Sequence, residues 1–359
     1  MAEAEKIMNI AVGDIEKIMN IATGDIEKVM GVELPASSPA WLGARALLIG
    51  RSHSQNTVYT DEVIYRTIGA GSGGTTDFGN CWTNRTSGAA NSSGTRAVYN
   101  GGFITASPYY SPRMDYFTIA STGDASDFGD TSNNNGSPAA SSNGTTGTVN
   151  VGGYVGAYVN QIESITFASL SDSTDQANLS AARSRPTGVS NSVRGIHAGG
   201  NTLAFSDVID YYTWADLSTN ASDFGNLTVA STTYTAGEDA TRGIWFGLHT
   251  GGTTTPRTTR AIDYVTIASA GNASDFGDTI AMNAESSPAG TWGGGTMSNG
   301  VIMEVAGGRF NQSGSDEQSK AIQVITIQTT GDAVDLSQDV DSWTGGDEET
   351  YATDGCSGN

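Results

Sequence analysis

Cationic and sulfur-bearing side chains are scarce in this chain. Only 17 residues are Lys or Arg against 38 Asp or Glu, a formal net charge of −21. A surface of that sign repels phosphate backbones and anionic head groups, which argues against a nucleic-acid or membrane-surface partner. The two cysteines, Cys81 and Cys356, are too few for a disulfide framework and lack metal-ligand spacing. Free thiols are expected, with one bridge left open. No run approaches the ~20 apolar residues that cross a bilayer, so no membrane insertion is expected. Residues 1–30 also lack the basic flank and apolar core of a secretion signal. The three histidines, His53, His197 and His249, share no spacing with an acid-base partner, and no serine-nucleophile motif occurs. Neither a catalytic constellation nor a metal or cofactor site is therefore expected.

What is present in quantity is glycine, at 47 residues, with much Ser, Thr, Asn and Asp, while 37% of the chain is hydrophobic and 15% charged. Apolar residues placed sparingly between so many turn formers predict short strands rather than long helices.

Two repeat systems organise the chain. Residues 5–33 read EKIMNIAVGDI, EKIMNIATGDI, EKVMGVE, an 11-residue unit used twice and then cut short. Ile7, Ile10, Ile15, Ile18, Ile21, Ile26 and Val29 fall on one side of a helix at about 98° per residue. A helical arm over 1–33 is predicted, with short broken helices as the alternative because Gly13-Asp14 and Gly24-Asp25 are end-and-restart signals. An arm of this length cannot bury its own stripe, so docking on other copies or on a larger assembly is expected, against packing back on its own domain. Residues 34–42, with Pro35 and Pro39, read as a linker.

The second system fills 43–359. A Thr ends a short apolar run six times, at Thr67, Thr118, Thr166, Thr213, Thr266 and Thr326, with spacings of 51, 48, 47, 53 and 60. Nine or ten residues later stands an Asp: Asp77, Asp127, Asp175, Asp223, Asp275 and Asp335, four of them followed by Phe-Gly. Nineteen residues further, Arg96, Thr146, Arg194 and Arg242 open a strand that ends in Gly-Gly or its equivalent. The sixth copy stops at CSGN (356–359), and the missing strand stands unpaired at the front as GARALLIGR (43–51). Joined, the two ends reproduce the register of SSGTRAVYNGG (92–102), so the last blade is expected to close with the first strand of the domain, leaving no sheet edge. A unit this small cannot bury its faces alone, whereas six arranged radially can.

The DFG triplets invite a kinase reading, but the accompanying phosphate loop, strand lysine and catalytic loop are missing from the sequence. Recurrence in four copies predicts a structural role: Asp accepting backbone bonds in a turn, Phe packing between blades, and Gly in a conformation closed to other residues. The Arg column is expected either at one mouth of the ring or in repeated inter-blade hydrogen bonds.

The order of apolar strand, Gly-Gly, variable loop, Tyr strand and large aromatic resembles the kelch repeat. Tyr65, Tyr116, Tyr211 and Tyr264 take the Tyr place, and Phe78, Phe128, Phe224 and Phe276 stand where kelch units carry Trp. The wording IDYVTIAS, GNASDFGD is also similar to propeller regions of bacteriophage virion proteins, tail fibres and appendages of aquatic phages, and the arm repeat to their attachment segments. The resemblance implies an all-β, six-bladed kelch-like β-propeller behind a short α-helical arm. It further implies a non-enzymatic virion protein on the particle exterior. The arm stripe would contact other virion proteins, the chain would be a homo-oligomer in the particle, and the propeller would serve host attachment or capsid or tail decoration. A lectin or glycan hydrolase not tied to a virion is the alternative. Loops between the Gly-Gly strand and the Tyr strand vary most, so Tyr59, Tyr109, Tyr110 and Phe310 are the candidate contacts with a host glycan or protein.

Overall fold

The computed structural model describes residues 28–29, 32–33, 45–50, 52–53, 58–70, 74–232, 235–250, 259–282, 293–312, 315–340 and 354–358. The chain divides into two units, Met1–Ser38 and Pro39–Asn359. In the first, Lys28–Val29 pairs antiparallel with Val32–Glu33. The end of the expected arm is thus extended rather than helical at Lys28–Val29 and Val32–Glu33, both strands carrying a β-branched valine. Ile7, Ile10, Ile15, Ile18, Ile21 and Ile26, and the linker 34–42, lie outside the described residues. Val29 sits in the short strand.

The second unit is a six-bladed β-propeller of four-stranded antiparallel sheets. Blade 1 joins Asp354–Gly358 to Arg45–Ile49, Glu62–Thr67 and Thr76–Asn80. Blade 2 runs Ala89–Ser92, Arg96–Asn100, Ser111–Thr118, Ser126–Asn135, and blade 3 runs Ala139–Ser142, Thr146–Val151, Gln161–Thr166, Thr174–Asn178. Blade 4 is Thr187–Ser190, Arg194–Ala198, Val208–Thr213, Ser222–Asn226, and blade 5 is Ala236–Glu238, Arg242–Phe246, Ala261–Thr266, Ser274–Asp278. Blade 6 is Gly295–Ser298, Ile302–Ala306, Ala321–Thr326, Val334–Asp339. Each blade's first strand neighbours the first strand of the next, and blade 6 meets Asp354–Gly358, so the first strands form the closed inner ring.

The ring closes between the two chain segments expected from the sequence, Asp354–Gly358 and Arg45–Ile49. Ser357 lies opposite Ala46 as Ser92 lies opposite Ala97. The composite sheet is the first blade, with one strand from the C-terminus and three from the front, because the sequence repeat counted from the Thr straddles two sheets. The cores lie between blades. Phe78, for example, packs with Phe117 and Ile119 of the next blade, and Phe276 with Ile325 and Ile327.

Because strands alternate in direction, connections from second to third strand emerge at one end of every blade, together with the passages to the next blade. The first-to-second and third-to-fourth turns emerge at the opposite end. Gly-Gly pairs such as Gly101 (φ 67°) and Gly102 (φ 100°), both left-handed, launch the second-to-third connections.

Candidate functional site

The repeated segment [Asn/Asp]-Ala-Ser-Asp-Phe-Gly-[Asn/Asp] is a blade-to-blade fastening. In blade 5, Ile262 faces Gly277 and Asp263 faces Asp275, so Phe276 is the extra residue of a β-bulge and turns into the core between blades. The same shift isolates Phe78, Phe128 and Phe224. The following glycine is required by contact: at Gly225 (φ +150°) a Cβ would lie 2.4 Å from the carbonyl oxygen of Gly271 in blade 5. Across that seam Gly271 N–H donates to Phe224 O at 2.7 Å and Ala273 N–H to Asn226 O at 2.8 Å. The first residue of the segment completes the seam, since Asn272 Oδ1 accepts the Asn226 N–H at 3.0 Å. Asp124, Asp172, Asn220 and Asp332 do likewise for Asn80, Asp130, Asn178 and Asp278.

The Arg column resolves to inter-blade bonding. Arg45, Arg194 and Arg242 donate to the carbonyls of Ile119, Ile267 and Ile327 in the next blade at 3.1, 3.0 and 3.0 Å, and Arg96 donates to Phe167. Each guanidinium also lies over its own blade's tyrosine, from 4.4 Å for Arg45 on Tyr65 to 4.9 Å for Arg194 on Tyr211. The tyrosine place of the repeat is thereby explained: its ring is the platform for the arginine.

A third column had no name in the sequence reading. Asp115, Glu163, Asp210, Asp263 and Gln323 precede the tyrosine place and are fully buried. Their oxygens accept the backbone N–H of Trp82, Ser132, Ser180, Thr228 and Ile280, at the exit of the previous blade's last strand. Buried Arg85 and Arg183 pair with Asp115 and Asp210 at 2.8 and 2.9 Å. Burial raises the Asp263 carboxyl above the usual range, against the Thr228 bonds that lower it. The signal was in the sequence, as the residue before each Tyr, but an acid in a strand reads as a solvent-facing position until neighbours bury it.

Between blades 3 and 4, where Thr146, Gln176 and Ala177 replace the Arg, Phe and Gly, a buried polar cluster takes over. The Tyr212 hydroxyl meets Ser141 Oγ at 2.7 Å, Thr148 Oγ1 at 2.6 Å and His197 Nε2 at 3.1 Å. Burial, with Arg183 nearby, depresses His197 to about 3, so its imidazole is neutral.

On the inner ring, Ser142 Oγ donates to Ser92 O and Ser190 Oγ to Ser142 O, both at 2.7 Å, and Ser298 Oγ donates to Glu238 O at 3.0 Å. Glu238 alone among these described positions is a carboxyl, and burial pushes it up to about 8 while Ser190 pulls it down. Cys81 and Cys356 are both buried in one core cluster and form no disulfide.

The candidate contact residues all lie on second-to-third connections, hence on one face. Tyr59 is half-buried in the pair Ser52–His53 with Val58–Tyr59, and Phe310 half-buried in Arg309–Gln312 paired with Ser315–Gln318. Tyr109 is 59% exposed with φ 67°, whereas Tyr110 turns inward. The two do not act as a pair: Tyr110 meets Phe103 edge-on at 5.3 Å and Tyr154 at 6.1 Å, and Tyr154 meets Tyr158 at 5.4 Å. Tyr158 Oη donates to Asn201 Oδ1 at 3.3 Å, Asn201 bridges Phe205, and Phe205 meets His249 at 5.6 Å. Ring contacts thus run from blade 2 to blade 3 and from blade 4 to blade 5, the two runs being joined through Asn201, and most of this was illegible in the sequence because Phe103 and Tyr154 become neighbours of other loops only when the blades are set in a ring. Set against known proteins, the chain matches no family model and no curated protein.

Proposed function

We propose that the chain is a non-enzymatic structural protein of a bacteriophage particle, with a kelch-like propeller displayed outside for host attachment or for decoration of capsid or tail. The arm of residues 1–33, read as amphipathic from its 11-residue repeat, docks on other virion proteins. One observation carries the display role. The residues that recur from blade to blade are spent on fastening blades together, while the connections that differ, with exposed Tyr109 and Leu203, collect on one face. A rigid ring presenting variable loops suits recognition rather than turnover.

Deleting residues 1–33 should leave a folded propeller that no longer enters particles. Normal incorporation of the shortened chain would refute the anchoring role. A carbohydrate-binding or carbohydrate-active propeller not tied to a particle is the second reading, favoured by the aromatic arc and by the single-blade carboxyl Glu238. Turnover of a glycan panel that is lost on Glu238→Gln would decide for the enzyme.

A further inference from the structure

We infer that the rings of Phe103, Tyr110, Tyr154, Tyr158 and Phe205, with the exposed Tyr109 on the same connection as Tyr110, form a binding subsite for a neutral oligosaccharide. This rests on the reading of the propeller as a displayed recognition module.

Charge comes first. In a chain with 55 charged side chains, the segments 101–110 (GGFITASPYY), 152–160 (GGYVGAYVN) and 199–206 (GGNTLAFS) contain none. They are the second-to-third connections of blades 2 and 3 and all but the last residue, Asp207, of that of blade 4, adjacent in the ring. An acidic glycan would find no cation there and a net charge of −21 around it, and a cationic ligand would find a single carboxylate, Asp207 at the far end of the blade 4 connection.

Shape and chemistry follow. The ring centroids step along the arc at 5.3, 6.1 and 5.4 Å, close to the length of one pyranose unit. These rings are half-buried, as is Asn201, whose Oδ1 accepts the Tyr158 hydroxyl, so apolar ring surface and polar groups both reach solvent on this face. Flat C–H faces of a sugar suit such rings and its hydroxyls suit the polar edge. A protein partner generally needs a broad patch of ~800 Å² per side.

Tyr109 supplies an independent argument. Ile104 N–H donates to its carbonyl at 3.0 Å and its own N–H donates to Ala106 O at 2.7 Å, and the closed loop holds the tyrosine outward at φ 67°. A bulky side chain in the left-handed region is costly and is tolerated chiefly where function uses it. Leu203, 96% exposed on the blade 4 connection, extends the same uncharged surface.

The test uses the full-length protein on an array of short neutral oligosaccharides of glucose, galactose, mannose and N-acetylglucosamine, beside sialylated and sulfated ones. Saturation-transfer NMR then follows any retained sugar. At least one neutral member should bind, about tenfold more weakly in Tyr109→Ala and in Tyr158→Ala. Val193→Ser, on the opposite face, should bind as wild type. The melting temperature of Tyr109→Ala should not fall, which separates lost contact from lost fold. The proposal is overturned if no neutral member binds, if only acidic members or protein ligands bind, or if Tyr109→Ala binds undiminished. The array reads the isolated protein, so this result is independent of whether the chain enters particles.

Discussion

Replacing Gly225 by alanine puts the fastening role of the repeated segment under direct load. The new Cβ would lie 2.4 Å from the Gly271 carbonyl oxygen and 2.5 Å from its carbon, against 3.4–4 Å for ordinary contact, so the blade 4 and blade 5 backbones must part by about 1 Å. Both blocking atoms are main chain and cannot rotate away. Three hydrogen bonds cross this seam: Gly271 N–H to Phe224 O, Ala273 N–H to Asn226 O, and Asn226 N–H to Asn272 Oδ1. At ~1 kcal/mol each, with ~1–3 kcal/mol for an L side chain at φ +150°, the loss is about 4–6 kcal/mol. For a domain of this size that lowers the melting temperature by about 6–10 °C. Gly271→Ala is the matched control, because its Cβ meets nothing within 4 Å. Thermal unfolding followed by circular dichroism should separate the two by most of that interval. Equal shifts in both variants would refute the contact reasoning, since composition and helix or strand propensity change identically in each.

Four further outcomes follow from the same geometry. Arg194→Ala should cost about 1–2 kcal/mol in urea unfolding by losing the Ile267 carbonyl bond and the Tyr211 platform, whereas a change within error would show the column to be ornamental. His197, depressed to about 3, favours the folded state above its unfolded value of 6.5 and loses that contribution as pH falls toward 3. Wild type should therefore lose about 3 kcal/mol more than His197→Gln between pH 6.5 and about 4, and parallel pH profiles would contradict this. Glu238, raised to about 8, acts in the opposite sense, its contribution complete below 4.5 and lost as pH rises through 8. Glu238→Gln should thus melt higher than wild type above about pH 8 and show no such gain at acidic pH. Deleting 354–359 strips the strand beside Arg45–Ile49 and should yield a dimer or aggregate on gel filtration; a monomer with unchanged melting would show that closure is dispensable.

Much of the frame was legible because a repeat forces each position to show its tolerance within one chain. The Thr and Asp columns mark a turn and a bulge, and the cut sixth copy announced where the ends meet. The exchange of Phe for Gln176 and Gly for Ala177 marks a junction where Tyr212, His197 and Ser141 form a buried polar cluster. The buried acids escaped notice because a period-two pattern tells inside from outside only when one face meets solvent, and a blade has neighbours on both. The site was less legible still. Tyr109 and Tyr110 are adjacent in sequence yet point apart, while Tyr110 and Tyr154 come together through the placement of neighbouring blades.

The central claim, that a ring fastened by its repeats displays its irregular loops for recognition, is tested most directly by an image of the intact particle at a resolution that traces this chain. The account predicts a six-bladed ring on the exterior, with the face that carries Tyr109, Tyr154 and Leu203 turned toward solvent. Finding that face sealed against the particle, or the chain missing from it, would contradict the account.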